Sequence, residues 1–156
     1  MTVAQDLKVA VKAGLEELFG GLADFNGDVT PDWRTEVTYG YPFGQSPSEF
    51  VHFGRCRADT PPAGVKSGRN FRNETGELEL IVVCMVPGGS PEDTDARAHA
   101  HREQIEAWIA DRKNNELNVS GLQTLTTRGW ESTPFGNDLG HGTEIRITVH
   151  WTARLT

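Results

Sequence analysis

Residues 142–155 have the sequence GTEIRITVHWTARL, and this stretch decides the fold. Its apolar side chains fall on alternate positions: Ile145, Ile147, Val149, Trp151, Ala153 and Leu155. The positions between them are polar or charged: Glu144, Arg146, Thr148, His150, Thr152 and Arg154. Because successive side chains of a strand point to opposite faces of a sheet, the pattern predicts one long β-strand with one buried face.

Two other stretches have the periodicity of amphipathic helices. Apolar residues at helical spacing predict a first helix over residues 2–19. Ser90 followed by Pro91 is a typical start signal for a second helix, because serine caps the first turn and proline fits its first position. The buried stripe of this second helix is expected to contain Ala98, Ile105, Trp108 and Ile109, with Arg112 and Lys113 in its last turn.

Alternation and apolar runs predict four further strands, at residues 33–43, 49–57, 71–86 and 122–130. Long loops are expected over residues 58–70 and from residue 131 to Gly142. The resulting order is α-β-β-β-α-β-β. It predicts an α+β fold in which residues 1–156 form a single domain, with a mostly antiparallel β-sheet and two α-helices packed on one face.

Charge and composition limit the function classes. The chain has 156 residues and a net charge of −7, which argues against a dedicated nucleic-acid-binding protein, since such domains are usually basic. The sequence has no secretory signal pattern and no apolar run of membrane-spanning length, so we expect a cytosolic chain without a membrane span. The two cysteines, Cys56 and Cys84, are then expected to be reduced.

One basic region departs from the acidic average. Residues 55–72 contain one acid, Asp59, and five basic residues, Arg55, Arg57, Lys66, Arg69 and Arg72. Three interpretations remain open for this region: an ordinary solvated loop, a contact with an acidic neighbouring subunit or neck protein, or a contact with DNA.

No catalytic or cofactor motif is recognisable, and the candidate metal ligands are incomplete. His99 and Glu103 share a helix face, but His101 does not join them, so a solvated helix surface is expected. Residues 24–28 carry calcium-type oxygen ligands, yet their glycine is misplaced for a calcium loop. Residues 64–68 lack the glycine spacing of a phosphate-binding loop. We therefore expect no catalytic, metal-binding or cofactor-binding residue.

The order of elements and the C-terminal half resemble the tail terminator proteins of long-tailed, siphovirus-type bacteriophages. The shared pattern opens with a helix, an aromatic strand and a hairpin with a long loop. It continues with a break at residues 87–89 and an acid-started helix that ends near Trp108 and Ile109. A GLQTL strand at residues 121–125 and an EIRITVHWTA strand at residues 144–153 complete it. The resemblance thus covers nearly the full chain.

This resemblance implies a virion structural protein of the phage tail that is assembled in the host cytoplasm, is not an enzyme and needs no cofactor. Such subunits form a homo-oligomeric ring, a hexamer, at the head-proximal end of the phage tail. The ring stops polymerisation of the tail tube protein and presents the head–tail joining surface to a neck or connector protein. DNA passes through the ring without specific binding. Three alternatives remain: another neck or head-completion protein, a small nucleic-acid-binding accessory module, and a small enzyme with a pocket under the long loop.

Overall fold

The computed structural model describes residues 3–20, 35–42, 49–59, 72–86, 90–112, 116–137 and 140–155. It contains two helices, α1 (Val3–Gly20) and α2 (Pro91–Ala110). The strands are β1 (Glu36–Thr38), β2 (Glu49–Asp59), β3 (Arg72–Val86), β4 (Leu122–Asn137) and β5 (Gly140–Leu155). The predicted α+β class and the predicted order of elements are both confirmed.

The five strands form one mixed sheet in the order β1-β2-β3-β5-β4. β1 pairs with β2 in parallel, and every other neighbouring pair is antiparallel. The C-terminal strand β5 therefore lies inside the sheet, with β3 on one side and β4 on the other. β1 and β4 form the two edges of the sheet.

Both helices cover the same face of this sheet and share one hydrophobic core with it. The apolar stripe of α1 is buried as its spacing predicts, with Val3, Leu7, Val11, Leu15 and Phe19 facing the core. The predicted stripe of α2 is buried as well. The two helices approach closely because α1 has Gly14 where the Trp108 ring of α2 lies, and a Cβ there would overlap that ring.

The parity of the terminal strand is confirmed. Its inward side chains, Ile145, Ile147, Val149, Trp151 and Ala153, are all buried in the main core. Trp151 faces Gly76 of β3 in the paired register, and its ring occupies the space that a side chain at Gly76 would need. The opposite face of the sheet carries a smaller cluster of Phe50, Ile81 and Val83, packed against Phe135.

The predicted aromatic strand over residues 33–43 is wrong in length. Within residues 35–42, which the structure describes, only Glu36–Thr38 form a strand, and the chain bends at Tyr39 and Gly40. The Thr38 hydroxyl donates a hydrogen bond to the Gly40 carbonyl at 2.6 Å, which closes this bend. Pro42 follows and cannot donate to a strand ladder. Trp33 and Phe43 lie outside the described residues.

The predicted loop between the last two strands is also wrong, because β4 continues to Asn137 and β5 begins at Gly140. β4 pairs with β5 as far as Asn137, so the paired stretch includes Pro134. Proline is tolerated there because β4 is an edge strand, where its missing N–H breaks no hydrogen bond with β5. A register shift between Thr127 and Gly129 precedes this extension. Gly129 has φ = 137°, a conformation that favours glycine.

The predicted start of α2 is confirmed, whereas its end is earlier than predicted. The Ser90 hydroxyl accepts a hydrogen bond from the Asp93 amide at 3.1 Å, as an N-cap does. The helix ends at Ala110, so Arg112 follows the helix instead of belonging to its last turn. Its guanidinium still donates to the Trp108 carbonyl at 3.0 Å. The loop predicted for residues 58–70 is wrong at Ala58 and Asp59, which belong to β2, and residues 60–70 lie outside the described residues.

The parity of β5 makes a direct prediction about stability. Val149→Asp places an unpaired carboxylate in the core, and we expect a loss of more than about 3 kcal/mol in the free energy of unfolding. Arg146→Gln, on the opposite parity, is the matched control and should cost less than about 1 kcal/mol, because its ion pairs are half exposed. Urea unfolding of the two variants measures both effects. Equal losses would contradict the register.

Candidate functional site

A buried polar cluster joins the start of β2 to the middle of α2. The Arg97 guanidinium forms an ion pair with Glu49, with its Nη2 donating to Glu49 Oε2 at 2.9 Å. One helical turn later, His101 Nε2 lies 3.2 Å from the same carboxylate oxygen. The Thr35 hydroxyl lies 2.9 Å from His101 Nε2. Glu49, Arg97 and His101 are all buried, so the cluster connects α2 to the start of β2 from inside the protein.

The environment of His101 keeps its imidazole neutral. Burial disfavours the charged ring, and the nearby Arg97 guanidinium repels a second positive charge, so the pKa of His101 falls from 6.5 to about 4. The sequence prediction of a solvated helix surface is therefore wrong for His101. It holds better for His99, which is only partly covered and lies 3.7 Å from Asp95.

The same cluster contains the ligand types of a metal site. One ligand atom each from Glu49, Cys84 and His101 lies within 4.8 Å of the others, and Glu49 faces Cys84 in the register of β2 and β3. However, the Arg97 guanidinium already occupies the Glu49 carboxylate. Burial also raises the pKa of the Cys84 thiol to about 12, which disfavours the thiolate that metals bind. These groups fit an ion-paired structural cluster better than a metal centre.

The sequence contains a signal for this cluster, although the cluster matches no known metal or catalytic motif. Arg97 and His101 are four residues apart, in line with the buried Ala98, Ile105 and Ile109 on α2. Polar residues on an otherwise apolar stripe indicate buried polar groups that need partners. The partner, Glu49, lies 48 residues earlier in the chain and cannot be identified by spacing alone.

The sheet face opposite the helices carries a network of opposite charges. Arg57 of β2 lies 3.5 Å from Glu77 of β3. Arg146 of β5 lies 3.5 Å from Glu79 and 3.1 Å from Glu144. These pairs cross three neighbouring strands, so this part of the outward face is polar, beside the smaller apolar cluster of Phe50, Ile81 and Val83.

The predicted basic region is only partly described. Arg55, Arg57 and Arg72 are exposed, while Lys66 and Arg69 lie outside the described residues. Glu77 faces Arg57, and Glu79 accepts a hydrogen bond from the Arg55 backbone amide at 3.1 Å. The acids of β3 therefore balance part of the positive charge that the sequence places here.

Exposed aromatic side chains mark both edges of the sheet. Trp130 of β4 is 45% exposed, with the Arg102 guanidinium 4.5 Å from its ring centroid and the His99 ring edge-on at 4.9 Å. At the other edge, Tyr39 and Tyr41 are 43% and 56% exposed. Their rings are held edge-on against Phe53 and Phe50 at 5.5 and 5.6 Å. Large rings that are fixed by neighbours and remain exposed are typical of binding surfaces.

The fold is similar to that of a known virion subunit. A chain in the structure of the virion of a native gene transfer agent particle matches with a TM-score of 0.65 and 19% sequence identity. The match covers 99% of this chain and 98% of that chain, so the two folds correspond over their full lengths. No family model matches the sequence, and no curated protein matches it. Within the described residues, neither helix is long and apolar enough to cross a membrane.

The buried cluster predicts a specific loss of stability in mild acid. The unfolded chain binds a proton at His101 near pH 6.5, whereas the folded chain resists it until about pH 4. Stability is therefore fully present above the unfolded pKa and is lost as the pH falls from 6.5 toward 4, by about 2 kcal/mol between pH 7 and pH 5. Thermal unfolding at both pH values measures this loss.

His101→Gln is the matched control for this prediction. Its amide can reach Thr35 and Glu49 but does not titrate, so most of the pH dependence should disappear. Of the other groups that face His101, the Arg97 guanidinium and the Cys84 thiol do not titrate in this range. The Glu49 carboxylate is present in both proteins, so it does not account for a difference between them. The same loss of stability between the two pH values in both proteins would contradict the assignment.

Proposed function

We propose that this chain is a virion structural protein of the tail terminator type. In this role it forms a homo-oligomeric ring, a hexamer, at the head-proximal end of a phage tail. It stops polymerisation of the tail tube protein and offers the surface that joins the tail to a neck or connector protein. It acts by assembly, without catalysis and without a cofactor.

The observation that carries the proposal is the full-length likeness to a virion chain. The match covers 99% of one chain and 98% of the other, so the two folds correspond over their full lengths. The element order is also the one that the sequence resemblance to tail terminators implies. Both arguments point to a small subunit whose function lies in its contacts with other proteins.

The surface chemistry supports assembly over substrate binding. Two depressions on the open sheet face of the described residues are lined by paired charges, including Arg57, Glu77 and Glu79. The exposed aromatic rings lie at the two edges of the sheet, where neighbouring chains can reach them. Ligand pockets, by contrast, are usually deep and mostly apolar.

We assign the basic region to a protein contact. Arg55, Arg57 and Arg72 are exposed at the end of the sheet where β2 and β3 approach residues 60–71. Together with Lys66 and Arg69 they offer positive charge to an acidic neighbour, either another subunit or the neck protein. Such complementarity accelerates association and selects the partner.

The first test is the mass of the purified chain in solution. Native mass spectrometry should give a species near six times the 17.2 kDa of one chain, and electron microscopy should show rings. Mixing the chain with a polymerising tail tube protein should then produce tubes of limited length with one capped end. Uncapped tubes of unrestricted length would contradict the terminator role and leave another neck role as the alternative.

A second test separates protein contact from DNA contact. At about 150 mM salt the wild-type chain should bind duplex DNA negligibly, because its net charge is −7. Arg57→Glu should leave this result unchanged but slow association with the protein partner. Sub-micromolar duplex binding that weakens steeply with salt would instead favour the nucleic-acid-binding alternative.

A further inference from the structure

We infer that copies of this chain associate head to tail by pairing the β4 edge of one sheet with the β1 edge of the next. The inference deepens the proposed ring and rests on it. It assigns the subunit contact to the two sheet edges and leaves the basic region free for a different protein. The occupant of the β4 edge is a second copy of this chain.

The β4 edge has unpaired backbone groups and exposed side chains that a strand of another subunit could pair with and cover. β4 has 16 residues and pairs only with β5 among the described strands. From Trp130 to Asn137 its register with β5 is unbroken, so this half presents a row of outward backbone groups, interrupted at Pro134, which has no N–H to donate. Residues 130–134 are exposed on both faces as well. A long edge strand with unpaired backbone groups, whose side chains are exposed on both faces, can pair with a strand of another chain.

The β1 edge has the complementary features. β1 pairs with β2 on one side, and no described strand covers the other side. Tyr39 and Tyr41 follow β1, at and after the bend, and each is held by a ring contact while about half of its surface stays exposed. Trp130 at the other edge is held in the same way by α2. Each edge therefore has rigid aromatic anchors of the kind that dominate interface energies.

Strand directions favour this contact in a ring. β1 and β2 run parallel, while β2–β3, β3–β5 and β5–β4 are each antiparallel, so β1 and β4 run in opposite directions. Rotation about an axis along the strands preserves direction, and it would bring β4 against the neighbouring β1 in an antiparallel pair. A closed ring also requires two different patches on each subunit, which the opposite edges supply.

Local charge is compatible with repeated contact between acidic subunits. A net charge of −7 makes most pairs of identical surfaces repel. Near Trp130, however, the exposed Arg128 and Glu131 balance each other. At the opposite edge Lys8, whose ammonium lies 5.3 Å from the Tyr39 ring centroid, balances the exposed Glu36. The two edges can therefore meet without a net charge penalty.

Point variants test the two edges separately. Trp130→Glu and Tyr41→Glu should each raise the concentration needed for half-assembly by more than about tenfold, since both rings would be buried in the contact. Ala107→Glu, on the exposed side of α2, is the matched control and should assemble as the wild type does. Melting temperatures close to the wild-type value establish that the variants fold.

Cysteine pairs distinguish a head-to-tail contact from a two-fold one. In a Cys56→Ser background, Glu36→Cys combined in turn with Glu131→Cys and Thr133→Cys should give a ladder of cross-linked oligomers on mild oxidation. All three positions are exposed and share the face away from the helices. Each single cysteine variant should give no cross-linked dimer, because identical positions never meet in a head-to-tail ring.

The outcomes separate this inference from the proposed function. Rings of wild-type mass in both glutamate variants, without a cross-linked ladder, would overturn the edge contact and leave the proposed ring intact. A cross-linked dimer from Thr133→Cys alone would show two-fold β4 pairing and would also overturn it. A wild-type chain that forms no rings, either alone or on tube ends, would contradict the proposed ring itself.

Discussion

The whole structure depends on the position of β5 between β3 and β4. This strand is hydrogen-bonded on both sides along nearly all of its 16 residues, so it sets the length of both neighbours. Its buried parity also fixes which face of the sheet receives the helices. Because a shift of one residue would exchange the buried and exposed faces, register and fold are specified together. The Trp151 ring over Gly76 adds a steric constraint on that register.

The Glu49–Arg97–His101 cluster adds a second, polar constraint on the same core. A buried ion pair seldom adds much net stability, because desolvation offsets its attraction, but removing one partner is costly. Here the cluster joins the first residue of β2 to two successive turns of α2. We interpret it as a device that fixes how α2 lies across the sheet. The position of α2 in turn holds Trp130 at the β4 edge, through Arg102 and His99.

Patterns within single elements predicted most of the fold. The alternation in β5, the stripe of α1 and the Ser90–Pro91 start of α2 were sufficient because each feature is local. The errors arose where partners decide the outcome. Pro134 and Gly136 are typical loop residues, yet pairing with β5 keeps them in a strand. β1, in contrast, has only three residues, because the chain bends at Tyr39. The buried cluster was not predicted because Glu49 and Arg97 meet only in the folded chain. The exposed aromatic side chains at the sheet edges were not predicted because local sequence spacing does not determine which strands lie at an edge.

We predict an assembly in which the sheet of one subunit continues into the sheet of the next subunit. The most direct measurement is a cryo-electron microscopy map of the assembled chain, at a resolution that separates strands. We predict a closed ring in which β4 of each subunit lies antiparallel to β1 of its neighbour, about 4.8 Å away. Trp130 on the helix face and Tyr41 on the opposite face should each be covered by the neighbouring subunit. A ring joined through other surfaces, with both sheet edges exposed to solvent, would contradict it.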